Sequence, residues 1–491
     1  MVPEFVLTFI LGTVFVNGKL YEIPNNFSLG VAISSYQSEG AWNVNGKGEN
    51  IWDHLTHTRR NYSYDGSNGD IACDSYHKWK EDVQQLKYLG VDHYRFSISW
   101  SRILPSGFSN VINPDGIRYY NDLINELLKN GIKPLVTIFH WDLPQPLQDL
   151  GGLANLKVTQ YVEDYSRILF QHFGDRVKWW ITFNEPLSYC LYGYNGVVAP
   201  AILSSGVGSY LCGKTLLLSH GKIFRLYERE FRKEQEGKVG ITVNIAWFMP
   251  KTNSEKDKEA VARANDFLFG WWMHPIFSKE GNYPKRMSDR IEYVSKAENF
   301  SESRLPPFTK EEIKLIRGSY DFFGFNYYLA QVIQDDLVTP YNPPSFDQDV
   351  GVVATTIPGV EETEHNWFPI YPQGMGDVLR YIHKLYKGVP IIITENGYPD
   401  SGQLSDPRRI NYIQRHLIEV LKAKEEGVNV FGYTYWSFMD DYEWLYGYLQ
   451  KFGLFNVDFN DPNRTRTPKA SAEFFRLLTK YRVVPSDTID C

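Results

Sequence analysis

The sequence predicts a single (β/α)8 barrel, an α/β fold of the TIM-barrel type. Eight short apolar and aromatic runs recur along the chain without strict polar alternation, as strands buried on both faces do. Amphipathic stretches separate them, with no linker or shift in composition, which favours one barrel over several domains. The runs are Phe27–Ser34, His93–Trp100, Pro134–His140, Lys178–Phe183, Val239–Asn244, Phe322–Tyr327, Ile391–Thr394 and Val430–Trp436.

The segments between the runs carry apolar residues at helical spacing. Three such sets are Trp79/Val83/Leu86/Leu89, Ile117/Tyr120/Ile124/Leu127 and Ile410/Ile413/Leu417/Val420. A doubly wound open sheet is the alternative, but eight runs and the lack of a Gly-rich phosphate loop after the first run favour the barrel. Long loops are expected on the catalytic face, notably Thr339–Asn366, which is rich in Pro, Thr and Asp and reads as irregular.

The first 18 residues differ from the rest of the chain. Phe5–Val16 is almost wholly apolar and precedes Asn17-Gly18, a pair of small residues typical of a cleavage site. The run is short for a membrane span, so residues 1–18 are predicted to be a secretory signal peptide and residues 19–491 the barrel domain. A buried N-terminal helix is the alternative. The rest of the sequence contains no run long and apolar enough to span a membrane.

The composition limits the classes of molecule that the protein is expected to bind and the cellular compartment in which it is expected to act. The net charge of −7 without a long basic run argues against nucleic acid. Of the four cysteines, Cys190 and Cys212 are the candidate disulfide, and none has metal-ligand spacing, so no cofactor is expected. Secretion is predicted, for example into a digestive lumen or a storage compartment. Four glycosylation sequons support that route; they begin at Asn26, Asn61, Asn299 and Asn463.

Reactive groups in a barrel stand at the carboxyl ends of its strands. Glu185 stands two residues after the fourth predicted strand, and Glu395 directly follows the seventh. We expect these strands on opposite sides of the ring, so that both side chains reach across its mouth. Two carboxyl groups about 5 to 5.5 Å apart would cleave a glycosidic bond with retention of configuration. The alternative is that each Glu is a helix cap or an ion-paired rim residue.

The motifs around these residues resemble glycoside hydrolase family 1, the β-glucosidase and myrosinase family. The resemblance runs from Asn26 to about Leu478, and Asn460–Thr467 is similar to the animal, especially insect, branch. The motifs are Tyr36–Gly40, Tyr94–Ser97, His140–Pro144, Thr182–Pro186, Ile393–Gly397 and Asp440–Trp444.

This resemblance implies a role for each matching residue. Glu395 would be the nucleophile and Glu185 the acid/base, while Arg95 and Tyr328 would hydrogen-bond Glu395 and keep it ionised. The substrate would be a small-molecule β-glucoside. The residues implied to bind it are Gln37, His140, Asn184, Asn326, Trp436, Glu443, Trp444 and Phe452, with Trp436 as the stacking floor.

Other functions remain open from the sequence. A myrosinase, which cleaves thioglucosides bearing a sulfate, should present basic residues to that sulfate, yet Leu191 and Gln331 occupy the positions shortly after Glu185 and Tyr328. A catalytically silent carbohydrate-binding barrel would need no carboxylate pair, and a metal-dependent hydrolase would need a ligand cluster. Trp367 is a candidate platform for the leaving group. The protein is expected to be a monomer or a homodimer.

Overall fold

A closed ring of eight parallel strands forms the centre of the protein. The structure, a computed structural model, describes residues 19–338, 343–364 and 369–486, and the backbone of 6–9 and 12–15. The strands are β1 (Ser28–Ala32), β2 (His93–Ser97), β3 (Lys133–Phe139), β4 (Trp179–Asn184), β5 (Lys238–Asn244), β6 (Phe322–Asn326), β7 (Ile391–Glu395) and β8 (Val430–Trp436).

All eight predicted runs contain a barrel strand, and β8 pairs with β1 to close the ring, which excludes the open sheet. One expectation was wrong. The strands follow one another around the ring in chain order, so only β5 and β6 lie between β4 and β7 on the shorter side. These two strands are therefore three positions apart and not diametrically opposite. The correction brings the ends of β4, β6 and β7 closer together and makes β6 a neighbour of both candidate carboxylates.

The barrel interior is filled near the amino ends of the strands. Leu135, Ile181, Phe322 and Ile392 form a buried cluster there, and Trp179 packs against it with Phe431. Cavities in TIM barrels open at the other end, where the strands lead into their following loops. The packed interior therefore leaves the carboxyl ends of the strands as the place for a binding site.

Helices surround the ring, and the three predicted amphipathic sets lie in Ser75–Leu89, Pro114–Lys129 and Pro407–Glu425. The helix Pro114–Lys129 shows why such segments fold locally: Asn113 caps its first turn by accepting from Asp115 N, and Pro114 fits the first helical position. The other α-helices are Ser35–Ser38, Ile51–Thr58, Trp100–Ile103, Gln145–Asp149, Val158–Phe173, Pro186–Tyr194, Gly208–Leu226, Arg232–Gln235, Glu255–Asn265, Trp271–Phe277, Lys285–Ala297, Lys310–Ile316, Phe346–Val350, Pro372–Leu385 and Ala470–Tyr481.

Part of the insert expected to be irregular is ordered. Within Thr339–Asn366 the structure has a helix, Phe346–Val350, and a strand, Val352–Thr356. That strand pairs with Ala330–Asp335, which pairs in turn with Trp247–Pro250, and the three form a small sheet beside the barrel. The strand was not recognised because most of its residues are exposed, so it lacks the alternation of buried and polar residues that marks a strand.

The two ends of the described domain meet. Leu20–Glu22 pairs with Val483–Pro485, and a second two-stranded pair joins Phe455–Val457 to Arg466–Pro468. Near the amino terminus, Val6–Phe9 and Gly12–Phe15 are antiparallel strands, so the alternative of a helix is not found in these two segments. In the part of the chain that the structure describes, no helix is long and apolar enough to cross a membrane.

The predicted disulfide is confirmed. Cys190 and Cys212 are bonded and join the helix Pro186–Tyr194 to the helix Gly208–Leu226. Cys73 is buried and reduced, and Cys491 lies outside the described residues. The disulfide therefore anchors the helix that directly follows Glu185.

Candidate active site

The two predicted carboxylates stand where β4 and β7 end. Glu395 is the last residue of β7, and Glu185 follows β4 and precedes the helix Pro186–Tyr194. Glu185 has a positive φ of 45°, a conformation that non-glycine residues adopt rarely and at some energetic expense. Both side chains are buried, with 8% and 4% exposure for Glu185 and Glu395 respectively. The turn therefore directs the Glu185 side chain inward instead of leaving it on the rim.

Glu395 receives a hydrogen bond on each carboxylate oxygen. Arg95 of β2 donates from Nη1 to Oε1 at 2.5 Å, and the Tyr328 hydroxyl donates to Oε2 at 2.8 Å. Both partners are those named from the sequence, and the neighbouring Tyr327 instead donates to the Tyr371 carbonyl. The ion pair and the two donors fix the direction of the carboxylate and stabilise its charged form.

Glu185 has neutral partners only. Asn326 donates from Nδ2 to its Oε1 at 2.7 Å, and Ser188 donates from Oγ to its Oε2 at 2.9 Å. Sequence reasoning missed Ser188, although its position three residues after Glu185, in the first turn of the following helix, gives the spacing at which side chains meet. Without a cationic partner, Glu185 is held in place but its charge is not neutralised.

The surroundings make the two carboxyls titrate differently. Burial and the negative charge of Glu395 raise the pKa of Glu185 to about 7. Burial also raises the pKa of Glu395, but the Arg95 guanidinium and the Tyr328 hydroxyl oppose that rise. Near neutral pH, one carboxyl can therefore hold a proton while the other is ionised, which is the division of roles between an acid and a nucleophile.

Asn184 links both carboxylates to the rest of the site. Its Oδ1 accepts from Arg95 Nη2 at 2.7 Å and from Asn326 Nδ2 at 3.2 Å. Its own Nδ2 lies 3.0 Å from His140 Nε2, which must accept because Asn184 offers a donor there. Burial lowers the pKa of His140 well below its ordinary value, so the ring is neutral. One continuous network thus runs from Glu395 through Arg95 and Asn184 to Asn326 and Glu185.

Most of the predicted catalytic and binding residues line one cavity of about 510 Å³ at this end of the barrel. Two do not: Arg95 lies behind Glu395, and the fully buried Gln37 reaches the site through a 3.3 Å hydrogen bond from Nε2 to Glu443 Oε2. The predicted residues that line the cavity are His140, Asn184, Glu185, Asn326, Tyr328, Glu395, Trp436, Glu443, Trp444 and Phe452.

An aromatic wall stands at the inner end of the cavity. Trp444 packs against Trp141, with ring centroids 4.8 Å apart, and lies 6.0 Å from His140. His140 in turn stacks on Trp436 at 5.9 Å. Trp141 was not predicted, although it directly follows His140 in the chain, and its Nε1 donates to the Asn184 carbonyl at 2.9 Å. Flat aromatic faces beside hydrogen-bonding groups suit a sugar ring, which is apolar on its C–H faces and polar at its edge.

The outer part of the cavity is largely apolar, and the sequence did not predict it. Leu191 and Gln331, considered earlier as positions for basic residues, both line it, and no Lys or Arg is found among its described lining residues. Trp367, the candidate platform, lies outside the described residues. The apolar lining residues of this outer part are Leu187, Leu191, Val197, Val198, Ile245, Ala246, Phe248, Leu268, Phe269, Leu329 and Leu445.

Two predictions remain to be compared with the structure: the glycosylation sites at the surface, and the alternative of a metal-dependent hydrolase with ligands at the strand ends. Asn26, Asn61, Asn299 and Asn463 are all exposed, as attachment of a glycan requires. Among the described residues, no group of three or more His, Cys, Asp and Glu is arranged to hold a metal ion. The candidate chemistry therefore rests on the carboxylate pair.

A barrel that presents two buried carboxyl groups in one cavity, one of them beside a guanidinium, has the arrangement that glycoside hydrolases with a carboxylate pair use. The chain belongs to glycosyl hydrolase family 1, whose sequence model matches residues 20–483. It is an enzyme that hydrolyses glycosides, a retaining β-glycosidase, as the sequence predicted.

Similar proteins include both β-glucosidases and myrosinases. Myrosinase 1 of Brevicoryne brassicae is 47% identical over 93% of this chain and 98% of its own length. Beta-glucosidase 11 of Oryza sativa subsp. japonica is 41% identical over 92% of this chain and 88% of its own length. The solved structure of an aphid myrosinase has a TM-score of 0.89 at 46% identity and covers 94% of this chain and 99% of that one. The insect-like resemblance is thus confirmed, and the leaving group becomes the open question.

Proposed function

We propose that the protein hydrolyses terminal β-D-glucosides by two displacements at the anomeric carbon. In the first, the Glu395 carboxylate attacks that carbon while Glu185 gives its proton to the departing glycosidic oxygen. The observation that carries the assignment is the difference between the partners: an Arg and a Tyr for Glu395, but an Asn and a Ser for Glu185. The carboxyl stabilised as an anion is suited to attack, and the one without a cation is suited to carry a proton.

The second displacement follows from the same electrostatics. Once Glu395 is esterified to the sugar, its negative charge is gone, and that charge is one cause of the raised pKa of Glu185. The pKa of Glu185 then falls, so its carboxylate is able to take a proton from water. The water oxygen attacks the anomeric carbon and releases Glu395, and the product keeps the β-configuration because the carbon has been inverted twice.

Binding of the sugar is assigned to the inner end of the cavity. We assign Asn184 to the 2-hydroxyl, where it also touches Arg95 and Asn326, and Trp436 to one face of the ring. His140, Gln37 and Glu443 would hydrogen-bond the remaining hydroxyls, with Trp444 and Phe452 beside the hydroxymethyl group. Gln37 and Glu443 together resemble the pair of residues that holds a gluco-configured sugar through its 3-, 4- and 6-hydroxyls.

The leaving group is proposed to be neutral and apolar. The described outer lining is aliphatic and aromatic and offers no Lys or Arg to a sulfate. Burial, and then the neighbouring carboxyls of Glu185 and Asp347, raise the pKa of the Tyr192 hydroxyl at the same wall, so the charged groups near this wall are acidic. An anionic group would lose its hydration there without a compensating cation, which disfavours it.

Myrosinase activity is the second candidate, because the relative from Brevicoryne brassicae is 47% identical. The two candidates differ in the charge of the leaving group, and a glucosinolate and its desulfated form provide a matched pair. We expect the desulfated compound to have the higher kcat/KM. A glucosinolate preference of tenfold or more would instead establish the myrosinase function and refute the neutral leaving group.

The primary test is release of glucose from a nitrophenyl β-glucoside. The wild type should turn the substrate over, and Glu395→Gln should lose that activity while retaining the fold. Glu426→Gln is a matched control, since Glu426 is an exposed residue whose carboxylate pairs with Arg380. If Glu395→Gln is as active as the control, the nucleophile is wrongly assigned; if the folded wild type is silent on every glycoside, the binding-barrel alternative gains support.

We also propose that residues 1–18 are a signal peptide and that the protein is secreted and glycosylated. The apolar run Phe5–Val16, the Cys190–Cys212 disulfide and the exposed sequons support this route. Sequencing of the amino terminus of secreted protein should begin near Lys19, and treatment with a glycosidase that removes N-linked glycans should lower its apparent mass. A retained amino terminus or an unchanged mass would contradict the corresponding part of this proposal. A monomer or homodimer stays a prediction.

A further inference from the structure

A buried carboxyl lies behind the sugar-binding end of the cavity and does not line it. Asp441 is 2% exposed and precedes Glu443 by two residues. Its backbone neighbour Tyr442 donates from its N to the Gln37 carbonyl at 3.1 Å, so this loop and the short helix Ser35–Ser38 are joined side by side. A buried carboxyl without direct access to substrate acts through a residue that contacts the lining of the cavity.

That residue is Gln37. Its Nε2 donates to Asp441 Oδ1 at 3.1 Å and to Glu443 Oε2 at 3.3 Å, while its Oε1 accepts from Ser34 Oγ at 2.7 Å. An amide NH2 group has two protons, and each carboxyl takes one of them. A rotation of the amide by 180° would set its carbonyl oxygen against two carboxyl groups. Asp441 and Ser34 therefore hold the Gln37 amide in one orientation from opposite ends.

Two neighbouring carboxyl groups, Asp441 and Glu443, are buried here, and burial disfavours their charged forms. Burial raises the pKa of Asp441 well above its ordinary value, and Asp440 adds to the rise while Lys451 opposes it. Burial, Asp441 and then Glu395 raise the pKa of Glu443 in the same direction. Two carboxyls this close in a buried site repel each other when both are ionised, and Gln37 is the shared donor that reduces the repulsion.

We propose that Asp441 is a positioning residue that fixes the Gln37 amide and thereby sets the affinity of the site for the sugar and its preference for the gluco configuration. The proposal rests on the proposed function, in which Gln37 and Glu443 bind sugar hydroxyls. A hydroxyl that enters between them replaces the longer Gln37–Glu443 contact, while the Asp441 hydrogen bond keeps the amide in place. Glucose and galactose differ only in the orientation of the 4-hydroxyl, so a loosened amide should lose the ability to distinguish them.

The test compares kinetic constants on nitrophenyl β-glucoside and β-galactoside. Asp441→Ala removes one of the two carboxyl acceptors of the Gln37 amide, and we expect KM for the glucoside to rise about tenfold, the loss typical of one buried hydrogen bond, with kcat changed less than about threefold. The ratio of kcat/KM between glucoside and galactoside should fall by a similar factor. Asp441→Asn keeps an oxygen that can accept from Gln37, and it should retain the ratio within about threefold.

Two further variants keep the test decisive. Ser34→Ala removes the other anchor of the Gln37 amide and should lower the same ratio even if Asp441→Ala does not fold. Asp142→Ala is the matched control for Asp441→Ala: Asp142 is equally buried, its pKa is raised to about 8, chiefly by burial, and it accepts from Ser35 and not from Gln37. Its ratio should stay at the wild-type value, and melting temperatures would report any general loss of structure.

The outcomes separate this proposal from the function on which it rests. An inactive wild type refutes the proposed glucosidase. An active wild type whose Asp441→Ala and Ser34→Ala variants keep the glucoside-to-galactoside ratio overturns the positioning role. A parallel fall of activity on both sugars, with the ratio unchanged, would show that Asp441 has a structural role only.

Discussion

Replacement of Glu185 by Gln should stabilise the protein, and more so at high pH. The pKa of Glu185 is raised from its ordinary 4.5 to about 7. The folded state therefore binds this proton more tightly than the unfolded state, so this group makes the protein less stable as pH rises between these two values. At about 1.4 kcal/mol for each unit of pKa, the raised pKa of Glu185 makes the fold less stable by about 3 kcal/mol at pH 8 and by only about 1 kcal/mol at pH 5.

A glutamine avoids that penalty and keeps the local hydrogen bonds. Its carbonyl can accept from Asn326 Nδ2, and its NH2 can donate to Ser188 Oγ after the hydroxyl has rotated. An unfolding entropy of about 2.1 cal/mol/K per residue amounts to roughly 1 kcal/mol/K for a chain of 491 residues. The melting temperature of Glu185→Gln should therefore exceed that of the wild type by about 3 °C at pH 8 and about 1 °C at pH 5.

Differential scanning calorimetry at the two pH values provides the measurement. Glu311→Gln, a change of the same type at an exposed position, is the control and should shift the melting temperature little at either pH. A Glu185→Gln variant that is less stable than the wild type at pH 8, or whose gain is the same at both pH values, would refute the idea that Glu185 is a desolvated acid.

Three further predictions concern catalysis and stability. The kcat/KM for a nitrophenyl glucoside should fall as pH rises above about 7, where Glu185 loses its proton; an unchanged rate up to pH 9 would contradict its role as the acid. Arg95→Met removes the cation beside Glu395, so we expect kcat/KM to drop by about a hundredfold or more, and a drop of less than threefold would show the ion pair to be dispensable. Replacing Cys190 and Cys212 together by Ser should lower the melting temperature by about 3 °C, because the bond closes a loop with a sequence separation of 22 and such loops contribute about 3 kcal/mol. An unchanged melting temperature would indicate that the bond does not form in solution.

The barrel and its reactive centre could be predicted because both depend on short stretches of sequence. A strand buried on two faces is a continuous apolar run whatever its neighbours are, and the residue that ends it is placed by the fold itself. This is why Glu185 and Glu395 were found in advance, whereas their partners Arg95 and Tyr328 were implied by the resemblance to the family. The position of β4 relative to β7 was predicted wrongly, as opposite instead of three positions apart. It depends on the order of all eight strands around the ring and not on the sequence of any single strand.

The outer cavity could not be predicted in the same way. Its wall is assembled from side chains far apart in the sequence, such as Leu187, Phe248, Leu268 and Leu445, and each of them alone looks like an ordinary core residue. The exposed strand Val352–Thr356 carried no periodic signal. Asp441 belonged to a recognised motif, but its contact with Gln37, 404 positions away in the chain, becomes visible only in the folded barrel.

The central claim is that Glu395 forms a covalent bond to the sugar, and a trapping experiment tests it most directly. A 2-deoxy-2-fluoro β-glucoside with an activated leaving group slows both displacements, so the glycosyl-enzyme accumulates and can be digested and mapped by mass spectrometry. We predict one labelled peptide, with the sugar on Glu395, and no label in Glu395→Gln. A label on Glu185 or elsewhere, or turnover with inversion at the anomeric carbon and no label, would contradict the account.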